Sequence, residues 1–406
     1  MERPSALPGS SPRWRSGSRI LLFLFLPFFG GQELSAQHAI RIRLFSGHPS
    51  VDRFNISSFE KGFSVLAYEK SGQLIDTVAD LIEPRQSIEF QQKTGNIHFS
   101  DASGTYGPFL RYRIVPEEPS AVFQIEVKGE VRRYKGCIDV WVSGKSVQLV
   151  NEVDLEDYVA GVVESEGGHV PSFQYFKAQA ILARTFALKN WRKHASKGYN
   201  LKDDVSSQVY FHRAENRYGD SIVLAVEQTR DTVVTDQVCA PILAVFHANS
   251  GGFTAPAEFP WTNPLPYLKG RRDPYSMRGP SARWEKRIST AEMNAYLANR
   301  LGTDANDPGL KKILLNLDSD HRVGYLRLGD RSLKLSELRR RFRLRSAFFT
   351  VEEEGGHYVL SGRGYGHGVG MSQDGAMVMA SEGFDFRDII GFYYQDVSFD
   401  ALDHLF

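Results

Sequence analysis

The sequence predicts an α+β fold, with a β-rich N-terminal module followed by a mixed region of strands and helices. Short runs that alternate apolar and polar residues fill residues 37–133, and clusters of Gly, Pro, Ser and Asn separate them. Beyond them, segments with helical periodicity are interspersed with strand-like runs, without the regular βαβ order of a parallel sheet. We therefore predict a second domain over residues 134–400.

The N-terminal 36 residues have the pattern of a signal peptide. Arg13, Arg15 and Arg19 supply positive charge, residues 20–29 (ILLFLFLPFF) are apolar, and residues 34–36 (LSA) offer a cleavage site. The apolar run is about half the length that spans a bilayer. We expect export to the periplasm or cell envelope with no stable membrane span after cleavage. An uncleaved N-terminal anchor is the alternative.

The charge balance bears on the class of ligand. The chain has 49 Lys and Arg against 48 Asp and Glu, so its net charge is +1. Nucleic-acid binding needs a basic field, which this composition does not supply. A neutral or mixed-charge polymer is a natural ligand instead. Cys137 and Cys239 either form one disulfide in an oxidising compartment or remain separate buried thiols.

Local patterns place the individual elements. Alternation predicts strands at residues 40–44, 63–67, 122–127, 138–142, 147–150, 232–234, 242–246, 313–317 and 324–328. Apolar residues at three- and four-residue steps predict helices at residues 172–194, 290–301, 335–342, 372–382 and 386–394. Pro171 precedes the first helix and Gly198 follows it, while Ser289 and Glu292 form a capping-box pattern before the second.

Three segments carry the patterns that bear on function. The first reads NEVDLEDYVAGVVESE at residues 151–166 and continues as KAQAILARTFA at residues 177–187. The second is SQVY at residues 207–210, followed by FHANSGG at residues 246–252. The third is GRGYGHGVGMSQDGA at residues 362–376. The third segment has no P-loop Lys-Ser/Thr and no preceding Rossmann strand, which excludes nucleotide binding.

Taken together and in this order, the segments resemble the SpoIID/LytB family of bacterial cell-wall proteins, over residues 134–397. The resemblance implies an exported lytic transglycosylase that cuts peptidoglycan glycan strands stripped of their stem peptides. The alternative that it implies is a non-catalytic peptidoglycan-binding protein that activates a partner, an N-acetylmuramoyl-L-alanine amidase. By the same resemblance, the family's essential glutamate corresponds to Glu166. Family members continue with Met-Pro, whereas residues 167–171 here read GGHVP, so this loop is altered.

One carboxyl group is sufficient for lytic transglycosylation. The C6 hydroxyl of muramic acid replaces the second carboxylate of an ordinary glycosidase, and its attack is intramolecular. Glu164 is the rival of Glu166, and it would point the opposite way if the segment were extended. Some family members bind zinc through a Cys near the second segment, but this chain has Ser206 and Ser207 there. We expect no metal and no cofactor.

The remaining candidates would contact the glycan. Lys177 and Arg184, seven residues apart, share one side of the predicted helix, and Gln208 and Tyr210 alternate to one face of a predicted strand. The others lie in glycine-rich segments, which bring backbone close to a ligand. For Lys177 the competing interpretation is a solvated position, and for a lone histidine it is a structural role. The full set of predicted substrate-binding residues is Lys177, Arg184, Gln208, Tyr210, His247, Asn249, Ser250, Tyr365, His367 and Gln373.

Overall fold

The computed structural model describes residues 38–404, except residues 70–73, 103, 168, 169, 171, 214, 262, 318 and 319. The predicted signal peptide and most of the altered loop after Glu166 lie outside the described residues. Within the described part of the chain, no helix combines the length and apolar character that crossing a membrane requires.

Antiparallel strands dominate the chain up to residue 154, as the alternating pattern predicts. In β1 and β2, every second side chain is buried. The strands are β1 (Ala39–Leu44), β2 (Arg53–Ser58), β3 (Phe63–Tyr68), β4 (Leu74–Ile82), β5 (Ser87–Lys93), β6 (Asn96–Ser100), β7 (Thr105–Phe109), β8 (Arg111–Pro116), β9 (Phe123–Val127), β10 (Glu130–Tyr134), β11 (Cys137–Ser143) and β12 (Ser146–Asp154).

These strands form two sheets that share one hydrophobic core with the helices that follow. The larger sheet has the order β13-β1-β12-β11-β8-β3-β4, in which β13 is Leu201–Lys202, and the smaller has the order β10-β9-β2-β5-β6-β7. The boundary predicted near residue 134 falls between β10 and β11. Strands from both sides of it lie in the larger sheet, and the division into two domains stays a prediction.

Two helices follow the sheets. The predicted long helix is present as α2 (Phe173–Lys189), five residues shorter at its C-terminal end than expected. The preceding segment is also a helix, α1 (Leu155–Gly167), which the sequence analysis did not identify and treated as extended. The side chain of Asp154 accepts hydrogen bonds from the backbone N–H groups of Glu156 and Asp157 at 2.8 and 3.3 Å, and so begins the helix.

The rest of the chain alternates short strands with short helices. These elements are α3 (Gly219–Glu227), β14 (Thr232–Thr235), β15 (Phe246–His247), β16 (Arg283–Ser289), α4 (Thr290–Leu301), α5 (Pro308–Leu315), β17 (Tyr325–Leu328), β18 (Arg331–Lys334), α6 (Leu335–Phe342), β19 (Phe349–Glu354), β20 (His357–Arg363), β21 (Met371–Ser372), α7 (Gln373–Ser381), α8 (Phe386–Tyr393) and β22 (Ser398–Ala401).

Local capping explains where the predictions succeeded and failed. Helix α4 has the predicted bounds, and the Ser289 hydroxyl accepts from Glu292 N–H at 3.2 Å. The strand predicted at residues 313–317 is wrong, because Asp307 caps a helix whose first residue is Pro308. The strand predicted at residues 242–246 is also wrong for all but its last residue.

A second hydrophobic core lies between the two glycine-rich segments of the sequence. It is built from elements β16 to β20, and buried residues such as Leu297, Leu310, Leu338 and Leu360 fill it. This part of the chain, called the insert below, covers residues 283–363. Its last strand, β20, ends within the first two residues of the third functional segment.

A buried ion pair joins α1, α2 and β14. The Arg184 guanidinium donates to the Glu156 carboxylate at 2.8 and 2.5 Å and to the Thr232 carbonyl at 2.9 Å. Arg184 is fully buried and Glu156 is 7% exposed. Arg184 stabilises the helix pair rather than reaching a ligand, which corrects its predicted role in substrate binding.

We predict that Arg184→Ala lowers the free energy of unfolding by about 3–5 kcal/mol, because it leaves the Glu156 carboxylate buried without its partner. Urea denaturation followed by circular dichroism would measure this. Lys189→Ala, at the end of the same helix, is the control and should cost less than about 1 kcal/mol. Equal stability of the two variants would contradict the structural role of the ion pair.

Candidate functional site

Glu166 lies at the point where the three functional segments meet. It is the penultimate residue of α1, and it is partly exposed while its neighbour Gly167 is buried. Its Oε1 accepts a hydrogen bond from the backbone N–H of Val209 at 2.8 Å. Gln373 donates its Nε2 to the Glu166 backbone carbonyl at 3.1 Å. Residues from three distant parts of the chain therefore position this one carboxyl group.

Two buried tyrosine–glutamine pairs lie beside Glu166. The Tyr158 hydroxyl donates to Gln208 Oε1 at 3.1 Å, and the Tyr175 hydroxyl donates to Gln179 Oε1 at 3.2 Å. A Cβ atom at Gly167 would come within 2.1 Å of the Tyr175 hydroxyl, so only glycine fits there. Among the described residues, the Nε2 groups of Gln208 and Gln179 have no acceptor. Both remain donors that a water can use.

Of these residues, the sequence pattern predicted only Gln208. Tyr158, Tyr175 and Gln179 were missed, although Tyr158 and Gln179 lie inside the segments that carry the family resemblance. Their spacing was the available signal, because Tyr175 and Gln179 are four residues apart on one helix and therefore neighbours on its surface. The sequence could not show that this surface is turned towards Glu166.

The environment changes the acidity of Glu166. Burial raises the pKa of its carboxyl to about 7, and the hydrogen bond from Val209 opposes this shift in part. The position at the C-terminal end of α1 acts in the same direction as burial, because the helix dipole disfavours negative charge there. Near neutral pH, both the protonated and the ionised forms are therefore populated. A group with this property can serve first as an acid and then as a base.

Glu164, the rival candidate, has a structural role. Its buried carboxylate accepts from the backbone N–H groups of Glu215 and Asn216, each at 2.8 Å. Because the segment is helical, Glu164 and Glu166 are separated by about 200° around the helix axis. Their side chains therefore point in different directions, as predicted. The cause is the geometry of a helix, whereas the prediction assumed an extended segment. Glu166 is partly exposed and has a raised pKa, whereas the Glu164 side chain is buried and held by backbone donors.

Tyr210 and Lys177, which were also predicted to bind substrate, do not lie beside the Glu166 carboxyl group. Tyr210 is buried, donates to Asn151 Oδ1 at 3.0 Å and packs closely on Gly161. The residues around it are not in a strand, which corrects the predicted alternation with Gln208. The Lys177 ammonium group lies over the rings of Phe173 and Phe386, 4.9 and 5.7 Å from their centroids. It is therefore held on a different side of α2 from Tyr175.

Asn249 and Ser250 hold the glycine-rich loops together. Asn249 Nδ2 donates to Asp374 Oδ2 at 2.8 Å, and Ser250 Oγ donates to Asp273 Oδ2 at 2.7 Å. Both side chains are fully buried. Both residues therefore have a structural role, which corrects the prediction that they contact substrate.

The two predicted histidines lie together in a different group. The rings of His247 and His367 are 5.4 Å apart, and Trp261 lies 5.4 Å from His367. His247 is buried, and its Nδ1 lies 3.0 Å from the Val369 carbonyl. Tyr365 is 46% exposed on the adjoining surface. Of the predicted set, Gln208 and Gln373 therefore lie beside Glu166, whereas His247 and His367 belong to this second group.

Both cysteines are free thiols. Cys137 is partly buried, and burial raises the pKa of its thiol. Cys239 is exposed. Of the two alternatives left open by the sequence, the structure has separate thiols, although they are not both buried.

Comparison with known proteins gives consistent matches. A family described as "Stage II sporulation protein" matches residues 143–235. Stage II sporulation protein D of Bacillus subtilis is 33% identical over 268 residues, which cover 63% of this chain and 77% of the relative. The protein of the same name from Bacillus amyloliquefaciens is 32% identical and covers 68% and 83% of the two chains. An amidase enhancer of Bacillus subtilis is 27% identical over 71% of this chain and 46% of its own length.

We predict that Glu166→Gln stabilises the protein in a pH-dependent way. The pKa of Glu166 is about 7 in the folded chain and near 4.5 when unfolded. The wild type therefore loses stability relative to the glutamine variant as pH rises from about 5 to 8, by roughly 1–2 kcal/mol for this partly exposed group. Thermal unfolding at both pH values would measure the difference. Glu227→Gln, at an exposed position, should show none.

Proposed function

Since the chain belongs to the SpoIID/LytB family, we propose that it is an exported peptidoglycan lytic transglycosylase. It would cleave peptide-stripped glycan strands and leave 1,6-anhydromuramic ends. The observation that carries this proposal is a single, partly exposed carboxyl group with a pKa of about 7, placed by the three family segments. The leader at residues 1–36 supports export to the cell envelope, where this polymer lies.

The hydrogen bond from Val209 assigns different roles to the two oxygens of Glu166. Oε1 accepts from a backbone N–H, so in the neutral acid the proton resides on Oε2. Among the described residues, Oε2 has no partner of its own. Oε2 is therefore the atom that protonates the glycosidic oxygen as the bond from C1 to that oxygen breaks.

The second half of the reaction regenerates the acid. The Glu166 carboxylate takes the proton of the muramic acid C6 hydroxyl while O6 forms a bond to C1, which closes the anhydro ring. No water is consumed, and the leaving sugar departs with the first proton. A pKa of about 7 suits both steps, because donor and acceptor strength are then balanced near neutral pH. Burial raises the pKa of Tyr158 and Tyr175 far from this range, so neither competes as an acid.

Phe211 presents an exposed aromatic ring near the C-terminal end of α1. It is 40% exposed, and its backbone N–H donates to the hydroxyl of Ser165 at 3.1 Å, one residue before the catalytic candidate. The Arg132 guanidinium lies over the ring, 4.3 Å from its centroid, and holds it in place. We propose that the ring packs against a sugar of the strand.

A second candidate function is the activation of a peptidoglycan amidase without cleavage. The relative named amidase enhancer supports it, with its match over 71% of this chain. The two functions differ in what Glu166 does. An amidase enhancer would need the surface around Glu166 for binding, but it would not need Glu166 to transfer a proton.

We predict that Glu166→Gln lowers the rate of 1,6-anhydro product formation from peptide-free glycan by about 10²–10⁴-fold, the usual contribution of general acid–base catalysis. Mass spectrometry of the products would detect the anhydro ends. Glu227→Gln, the same change at an exposed position, should retain full activity.

Two outcomes of this assay would contradict the proposal. A wild-type protein that releases no anhydro ends would exclude the transglycosylase and favour the amidase partner, whose rate should then rise on addition of this protein. A Glu166→Gln variant that is still active would leave the reaction intact but overturn the residue assignment.

We predict that Phe211→Ala raises KM about tenfold with little change in kcat, because the ring would bind substrate and transition state alike. Steady-state kinetics on peptide-free glycan would measure both constants. Val238→Ala removes a side chain that is 81% exposed elsewhere and should change neither. A fall in kcat alone would argue instead that Phe211 orients Glu166.

A further inference from the structure

A cationic pocket lies between the insert and the third functional segment. Arg322, Arg339 and Ser336 line it from the insert, and His367 and Ala255 line it from the glycine-rich loops. None of its lining residues touches Glu166. The proposed reaction at Glu166 leaves this pocket unexplained.

Both arginines of the pocket bond to backbone carbonyls rather than to acids. Arg322 donates to the carbonyls of Phe253 and Ser250, each at 2.6 Å. Arg339 donates from Nε to the carbonyls of Leu344 and Arg345 at 3.3 and 3.2 Å. Within the described ranges, no carboxylate forms an ion pair with either guanidinium, and both arginines are partly exposed.

Positively charged groups lie close enough to influence one another in the pocket. Burial lowers the pKa of Arg322 to about 9, and the charges of Arg363 and Arg339 add to this effect. Burial lowers the pKa of His367 to about 4, and Arg339 contributes in the same direction. The neighbouring His247 is buried, and its Nε2 has no partner in the part of the chain that the structure describes. A bound anion would relieve this repulsion.

We propose that the Arg322–Arg339 pocket binds a carboxylate of the glycan strand, namely the free lactyl carboxylate of a muramic acid. The inference rests on the proposed function at Glu166. The bonds to backbone carbonyls leave Nη1 of Arg322 and the Nη groups of Arg339 as donors for the carboxylate oxygens. In a strand that still bears stem peptides, the same carbonyl is part of a neutral amide. The pocket therefore distinguishes peptide-stripped strands from intact ones.

The chain connects this pocket directly to the catalytic candidate. His367 precedes Gln373 by six residues, and Gln373 contacts the Glu166 carbonyl. Six residues span at most about 20 Å. This distance is within the reach of a short glycan, and the proposal is that one muramic acid lies at Glu166 while another places its lactyl group in the pocket.

The test uses a variant that fills the pocket with a charge of its own. Ser336 lies in the first turn of α6 and lines the pocket, so Ser336→Asp supplies an internal carboxylate at a position that favours helix formation. It keeps both arginines, whereas replacing Arg322 would also release two backbone carbonyls. Ser332→Asp, at an exposed position of β18, adds the same charge outside the pocket.

Binding is measured by calorimetry in the Glu166→Gln background, with two tetrasaccharide probes. One is a peptide-free glycan with free lactyl carboxylates, and the other carries the same groups as primary amides. We expect the acid to bind at least about tenfold tighter than the amide, as a charge-assisted contact would give. Ser336→Asp should abolish this preference, and Ser332→Asp should retain it.

Each other outcome overturns the inference. Equal affinity for acid and amide, or a preference that survives Ser336→Asp, excludes the carboxylate site. Thermal stabilisation by inorganic phosphate that Ser336→Asp removes, without any preference between the glycans, would reassign the pocket to a free anion. If the wild type produces anhydro ends and the preference is absent, only this inference fails. If the wild type produces none, the proposed function fails, whatever the binding result.

Discussion

The burial of helix α1 is the constraint on which the rest of the site depends. One end of the helix is held by the Glu156–Arg184 ion pair, which also reaches β14. The other end carries Glu166 into contact with Val209 and Gln373. Because the helix is packed over most of its length, the carboxyl group at its end is partly withdrawn from water, and its pKa rises to about 7.

Close backbone packing brings the remaining segments to this helix. Asn249 and Tyr365 exchange backbone hydrogen bonds at 3.0 and 2.8 Å, which joins the second functional segment to the third. Gly251 and Gly364 make this possible, since both have positive φ and a Cβ atom at either would lie 2.5 Å from the opposite backbone. These glycines, whose pattern suggests a ligand-binding loop, therefore allow the two backbone segments to pack closely. Residues of the insert line the cationic pocket beside them.

Alternation and capping explain how much of the fold the sequence predicts. Strands such as β1 and β9 are half-buried, so their period of two is visible. Helix α4 has the predicted bounds, and Ser289 caps it. Helix α1 was missed because it is buried on nearly all sides, which removes the polar face that periodicity needs. Burial was equally hard to predict at the candidate site. Asn249, Ser250 and Tyr210 are buried and have structural roles, although they were predicted to bind substrate.

The sequence by itself determined the family and the α+β class, and it predicted Glu166 as the carboxyl group at the centre of the candidate site. Motif order and residue type are local properties, so they can be read without coordinates. The tertiary structure decided which residues surround that carboxyl group, because Tyr158, Tyr175 and Gln208 meet only through packing. It also decided the acidity of Glu166 and the unpaired charge of Arg322, since both follow from burial and from the charges that lie nearby.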